Sequence, residues 1–471
     1  LKGFTVSDSS QPDWVPRWAR EAVFYHIYPL GFLGAPERND PTGEPVPRLA
    51  ELRRWYDHIV NLGVTAIYFG PLFESVSHGY DTTDYFHVDR RLGDDDLFRQ
   101  IVDELHGRGL RVIIDGVFNH TGREIFAFKD LRERGRESVY HDWYFINWGA
   151  DSAYGDGFAY QCWEGHENLP RLNLANEKVR AYIFEVARKW LGEVGVDGWR
   201  LDVAHEIAPE FWWEFRHECK AVHPDCFLLG ELLHGDYRVW VAPDLLDSGT
   251  DYQLHTSFWR ALNDRNLYEM QAVMERAVHP EWGVYKDLTL VNFLGNHDVT
   301  RIHSVLRDPR HFYVALILLM TVPGIPMIYY GEEVGMGGRK EDGDAALRRP
   351  MPLPDETWPD KKRHIYPQVT RLAAIHKEHP ALIYGDFTAL SAADTTYSFL
   401  RRHERETAVV VVSIDEEVVP LTLDVGRAGI PDGTTFHDAL DPQGGPYPVQ
   451  DGSLHVDGVP SCWGRVLTSA Y

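Results

Sequence analysis

Short apolar runs alternate with longer amphipathic stretches along most of this 471-residue chain, and that alternation restricts its fold more than any other feature. The runs are Val23–Tyr28, Val64–Phe69, Arg111–Ile114, Gly198–Val203, Phe227–Gly230, Leu288–Leu294 and Pro326–Tyr330. Between them lie helical patterns at Leu49–Leu62, Asp95–Arg108, Glu177–Val194, Pro209–Val222 and His311–Thr321. In Glu177–Val194, Val179, Ile183, Val186 and Trp190 recur at three- and four-residue spacing, which makes one helix face. Apolar strands separated by helices imply a parallel sheet, because parallel neighbours need a crossover connection. Seven runs and an eighth strand near Ser248–Gln253 predict an α/β chain built as a (β/α)8 TIM barrel. An open doubly wound sheet is the alternative, but no glycine-rich phosphate loop follows the first strand.

Two segments break the pattern and set the expected domain organisation. Asn119 to Asn173 is aromatic, aperiodic and too long for an ordinary strand-to-helix loop, so a small subdomain is expected after the third strand. Beyond a helix near Pro367–His376 come short β-rich pieces, Thr396–Arg401, Ala408–Ile414 and Val418–Leu423, which predict a C-terminal antiparallel β-sandwich. The expected divisions are barrel 1–118, insertion 119–173, barrel 174–380 and β-domain 381–471.

Composition excludes several classes of function. With 47 Lys and Arg against 71 Asp and Glu, the net charge of −24 offers no footprint for a phosphate backbone, so no nucleic-acid partner is expected. The longest apolar stretch, Phe312–Met320, is far short of the ~20 residues of a membrane span. The chain opens at Leu1 with no basic-then-apolar leader, and a cytoplasmic location is expected ahead of a secreted one. Cys162, Cys219, Cys226 and Cys462 read as free buried thiols, neither a disulfide framework nor a zinc motif.

The chemistry stands at the ends of the apolar runs. Arg111-Val-Ile-Ile-Asp115 leads to Asn119-His120; Gly198-Trp-Arg200-Leu-Asp202, Phe227-Leu-Leu-Gly230-Glu231 and Leu290–Asn296-His297-Asp298 repeat the theme. Ionisable groups at the mouths of buried strands are costly unless they are used, and a barrel enzyme works at that rim. Arg200 and Asp202, two apart on a strand, point to the same face. The guanidinium is expected to keep Asp202 ionised as a nucleophile, while burial and like-charge neighbours raise Glu231 for service as a general acid. A charged Asp beside a protonated Glu is the division of labour in glycoside hydrolysis, with Asp298 left to hold sugar hydroxyls.

These segments resemble the α-amylase superfamily of glycoside hydrolases, and within it the neopullulanase, cyclomaltodextrinase and maltogenic amylase group. Asp115–His120, Gly198–Ala204, Gly230-Glu231 and Asn296–Asp298 are similar to its four signature regions, in order, and Leu169-Pro-Arg-Leu-Asn173 and Gly324–Glu332 to two further motifs. The resemblance implies Asp202 as nucleophile, Glu231 as acid/base and Asp298 as transition-state stabiliser. It implies that Arg200, His120, His297 and Arg301 contact the sugar whose bond breaks, with Tyr80 as aromatic platform and Asp81 as hydroxyl-binding group. The implied partner is an α-glucan oligosaccharide or polysaccharide, cleaved at α-1,4 bonds with retention; a glucosyl transferase or isomerase and an exo-acting α-glucosidase are the alternatives. No cofactor is expected and no metal is assigned, although oxygen ligands near Glu37–Asp40 and Asp151–Asp156 suit calcium. The group's N-terminal β-domain, a route to its dimers, is not expected here, because the barrel begins within the first ~25 residues; oligomeric state stays open. Leu232-Leu233-His234 stands where the group commonly places a Trp two residues after the glutamate, and His205 where it usually has Asn.

Overall fold

A computed structural model describes residues 14–354 and 364–470. Eight strands form a parallel sheet: β1 Phe24–Ile27, β2 Ala66–Phe69, β3 Arg111–Gly116, β4 Gly198–Leu201, β5 Phe227–Gly230, β6 Ser248–Gly249, β7 Val291–Phe293 and β8 Ile325–Tyr329. The hydrogen-bonded order is β6-β5-β4-β3-β2-β1-β8-β7. A parallel bridge between Thr250 and Val291 joins the two ends and closes the barrel. The expected TIM barrel is therefore present, and β6, the strand expected near Ser248–Gln253, is the shortest.

Alternation along each strand decides what faces the barrel axis. Phe24, Ala66, Tyr68, Ile113, Phe227, Leu229, Val291, Phe293, Ile325 and Met327 form one internal cluster. Their chain neighbours Tyr25, Ile67, Val112, Trp199, Leu228 and Ile328 face outward into the larger core shared with the helices. Continuing the inward set upward on β1 to β5 gives His26, Tyr68, Asp115, Arg200, Asp202 and Glu231. Apolar layers thus fill the lower barrel and a polar layer lies on top of them.

Among the helices are α1 Asp95–His106, α2 Glu177–Arg188, α3 Pro209–Val222, α4 Tyr252–Asn263, α5 Leu267–Val278, α6 His311–Thr321 and α7 Ile365–Glu378. Two expected helices are less regular than their periodicity. Residues Arg48–Trp55 wind as a 3-10 helix before the α-turns of Tyr56–Leu62, and α2 widens into a π-helical stretch, Lys189–Val194. In that stretch Lys189 pairs with Asp95 at 2.6 Å and Trp190 donates to Tyr85 O at 2.8 Å, tertiary bonds that periodicity does not record. Among the described residues no helix is long and apolar enough to cross a membrane.

After β3 the chain leaves the barrel through helix Phe126–Arg134 and two small hairpins, Ile146–Asn147 with Ala159–Tyr160 and Cys162–Trp163 with His166–Pro170. Bridges His120–Arg171 and Tyr144–Leu172 hold this excursion over the third strand's exit. Within the oxygen-rich segments Asp156 accepts from Arg123 and Ser152, and Asp40 accepts from Thr42.

The C-terminal region is an antiparallel eight-strand sheet: β9 Asp386–Ala392, β10 Thr396–His403, β11 Glu406–Ser413, β12 Val419–Asp424, β13 Thr435–Asp438, β14 Tyr447–Gln450, β15 Ser453–Val459 and β16 Trp463–Ala470. On β11, Val409 and Val411 face the sheet's own core, while Val410 and Val412 join the barrel's. β10 (Tyr397 and Phe399 against Leu400) and β16 (Val466 against Leu467) divide their faces in the same way, and the three strands together fuse the two units.

Candidate active site

The polar layer is organised by one guanidinium. β4 pairs with β3 so that Arg200 lies beside Asp115. Arg200 Nη1 donates to Asp115 Oδ1 at 2.9 Å and to Asp202 Oδ1 at 2.8 Å, and Nη2 meets Glu231 Oε1 at 2.6 Å. Three carboxylates thus converge on one positive charge. Glu231 Oε2 accepts the Val203 N–H at 3.0 Å, and Oε1 also accepts the Tyr252 hydroxyl at 3.2 Å, which itself accepts from Asn296 at 2.8 Å. Val203 has φ +39°, a left-handed conformation that is strained for a β-branched residue. That conformation lets the chain turn at Asp202 and aim an N–H at Glu231. Gly230 is required below: a Cβ there would stand 2.5 Å from Leu246.

A second arm holds Asp298. His297 Nε2 lies 2.8 Å from Asp298 Oδ2, and Arg348 donates to Asp298 Oδ1 at 2.8 Å and to His297 O at 3.1 Å. Tyr80 joins the arms. Its hydroxyl donates to Asp115 at 2.9 Å and bonds His297 Nε2, and its ring stacks on that imidazole at 5.4 Å and 10°. Tyr28 stacks near His297 at 5.6 Å, and Tyr68 donates to Asp115 at 2.8 Å. Asp202, Glu231 and Asp298 therefore face one site with Arg200, His297 and Tyr80. His120 borders it beside Trp163, with its buried Nε2 unpartnered, and burial depresses the imidazole to about 3, so it is neutral near pH 7.

Two expectations are corrected. Arg301 is fully buried and donates to Leu347 O and Tyr330 O while its guanidinium lies over the Tyr329 ring, so it does not reach the site. The arginine on Asp298 is Arg348, 50 residues downstream of the motif it serves. Asp81 is also buried, and both its oxygens are taken by Ser77, from the backbone N–H at 3.0 Å and the hydroxyl at 2.6 Å. It fixes its own turn, and each oxygen keeps a second lone pair. The second correction concerns charge. Burial pushes the Asp202 carboxyl well above the usual carboxylate range; Arg200 opposes, but Glu231 and Asp115 add to the rise. One shared guanidinium does not outweigh desolvation and two like charges. For Asp298 burial also acts upward, yet His297 and Arg348 together hold it well below that range.

Sequence reasoning missed Arg348, Tyr252, Tyr28 and Tyr68. Tyr68 sits two residues after Ala66 on the inward face of β2, so strand parity could have found it. Tyr28 follows β1 at the parity of Phe24 and His26 and is open to the same reading, whereas Tyr252 and Arg348 have no local signature, because their segments are brought to the rim only by closure of the barrel.

The alpha amylase catalytic-domain profile matches residues 48–364. The chain is similar to neopullulanase 2 of Thermoactinomyces vulgaris, 35% identical over 453 residues that cover 90% of this chain and 74% of that protein. It is similar to a cyclomaltodextrinase of a Bacillus species, 34% identical over 423 residues covering 85% and 74%. Among solved structures, the native debranching enzyme of Nostoc punctiforme superposes with a TM-score of 0.80 at 30% identity, covering 96% of this chain and 99% of that one.

Proposed function

The chain belongs to the alpha-amylase family of glycoside hydrolases, and we propose that this α-glucan hydrolase cleaves α-1,4-glucosidic bonds by double displacement, with retention at the anomeric carbon. The observation that carries the proposal is the seating of Asp202 and Glu231 on the two Nη atoms of Arg200, at 2.8 and 2.6 Å. Carboxyls that close suit a retaining pair, separated by about 5–5.5 Å, better than an inverting pair separated by about 6.5–9.5 Å with water between them.

In the first half-reaction an Asp202 carboxylate oxygen bonds to C1 of the sugar as the C1–O glycosidic bond breaks. Glu231 delivers its proton to the departing oxygen. In the second, water attacks C1, its proton passes to Glu231, and the bond to Asp202 breaks, returning the α-anomer. Asp298, kept ionised by His297 and Arg348, is the hydroxyl-binding group that favours the positively charged transition state. Tyr80 presents an aromatic face to a neutral ring, and His120 Nε2 is an unused polar atom beside it. With Arg301 committed elsewhere, Arg348 takes over the arginine's part.

The names of the relatives, neopullulanase and cyclomaltodextrinase, support pullulan, cyclodextrins, starch and maltooligosaccharides as substrates. A timed product profile on maltoheptaose, β-cyclodextrin and pullulan tests this. Maltose is expected to accumulate from all three. Glucose as the only product would replace this reading with an exo-acting α-glucosidase, and transfer products dominating at high substrate would replace it with a transferase.

A further inference from the structure

Where the barrel meets the C-terminal sheet, three unlike side chains converge apart from the carboxylate layer. Asp308 and His311 stand three residues apart at the start of α6, and Cys462 lies in the turn between β15 and β16. One ligand atom from each lies within 4.8 Å of the other two. His311 is 4% exposed, and neither of its ring nitrogens has a hydrogen-bond partner. A buried polar atom left unpaired costs about 1–3 kcal/mol, so this imidazole is an anomaly unless something binds it.

His311 Nε2 and Asp308 Oδ2 are 4.0 Å apart, too far for a hydrogen bond. That gap is slightly wider than the roughly 3.4 Å edge of a tetrahedron with bonds of about 2.1 Å. Cys462 Sγ contacts Asp415 O at 3.8 Å, on a left-handed residue with φ +47°. The charges also favour a cation. Arg310 pairs with Asp308 at 2.6 Å and with Glu416 at 2.9 Å, and Arg265 also acts on His311, so two positive charges face two carboxylates and an ionised Cys462 would make the surplus −1.

We propose that Asp308, His311 and Cys462 bind one divalent transition-metal ion of the zinc type, joining α6 of the barrel to the C-terminal sheet. A thiolate, an imidazole and a carboxylate suit zinc, whereas calcium and magnesium require oxygen ligands. The fourth position falls to water or to Glu416, which shares Arg310 with Asp308. On binding, the Cys462 thiol loses its proton to solvent as the metal–sulfur bond forms. The imidazole binds neutral and the carboxylate is already ionised, so one proton leaves per ion.

The test uses the full chain, stripped with a chelator and titrated with Zn2+ and, separately, Co2+. One ion per chain is expected, with the thermal midpoint rising by about 2–4 °C at saturation. The Co2+ form should show a thiolate-to-metal charge-transfer band. Cys462→Ser should lose both the band and the thermal shift, and His311→Gln should weaken binding at least about tenfold, each with maltooligosaccharide hydrolysis intact. Absence of Zn2+ binding, or a Co2+ spectrum without the thiolate band, overturns the proposal. Should Cys462→Ser fail to fold, the spectrum of the unaltered protein decides alone.

Discussion

Strand β4 carries an aspartate at each end, and the two live in opposite electrostatic worlds. Asp197, just before Gly198, is buried, yet it accepts from His106 at 2.7 Å, from Arg111 at 2.7 Å and from the Val112 N–H at 2.8 Å. Burial pushes its carboxyl up, and those three donors together hold it below the ordinary value. Asp202, just after Leu201, shares one guanidinium with two other acids and is pushed up instead. β6 repeats the pattern: Asp247 before it is tied to Arg216 and Lys220 at 2.5 and 3.0 Å, while Asp251 after it, buried, is raised to about 6. At the lower rim donors outnumber acids and the strands are locked. Around Asp202 and Asp251, though not at Asp298 with its two donors, the upper rim leaves acids short of cationic partners, an arrangement that costs stability and supplies reactive carboxyls.

Four outcomes can break or sharpen this contrast. The largest effect belongs to Asp202→Asn, expected to lower kcat on maltoheptaose by on the order of 10^4-fold. The fold should survive, because an amide relieves the crowding around Arg200. Wild-type turnover would remove Asp202 from the reaction.

Next comes Asp197→Ala, expected to cost about 2–4 kcal/mol in thermal or denaturant unfolding while leaving kcat nearly unchanged. Its depressed carboxyl stabilises the fold above the unfolded-state value near 3.9, and that contribution fades as pH falls through the folded value. A large loss of kcat with little loss of stability would reverse the assignment of the two rims.

Asp251→Asn works with the opposite sign. A folded-state value of about 6 against about 3.9 unfolded means that stability declines as pH rises through that interval. Asparagine can still accept the Leu254 N–H that now caps α4. The variant should match the parent near pH 4 and exceed it by about 2–3 kcal/mol at pH 7, read from unfolding midpoints at the two pH values. Equal midpoints at pH 7 would show that the upper rim tolerates its acids without cost.

The smallest effect is a shift in a profile. In the proposed mechanism attack requires ionised Asp202, so kcat/KM should rise with pH along a limb displaced above the usual carboxylate range. A limb at the ordinary aspartate position would mean that Arg200 does control Asp202 after all.

Much of the architecture was legible because burial on both faces leaves a mark in one dimension. β5 and α3 occupy the residues that their apolar pattern predicts, Phe227–Gly230 and Pro209–Val222. Strand parity likewise placed Arg200 and Asp202 on one face. The less regular turns at Arg48–Trp55 and Lys189–Val194 escaped notice because periodicity reports which side is apolar, not which hydrogen bond closes the turn. Arg301 was misplaced for a related reason. Its distance along the chain from His297 is short, but it opens the turn Ile302–Val305 and is drawn inward by Leu347 O.

The amino-acid order by itself determined the barrel and the terminal β-region and put forward the acids at 202, 231 and 298, because each depends on residue type and local spacing. Only the closed structure decided how those acids share donors. It brought Arg348 to Asp298, withdrew Arg301, and set a single guanidinium among Asp115, Asp202 and Glu231. Proton affinity depends on the charges and solvent within a few ångströms, and that neighbourhood comes from strands far apart in the chain.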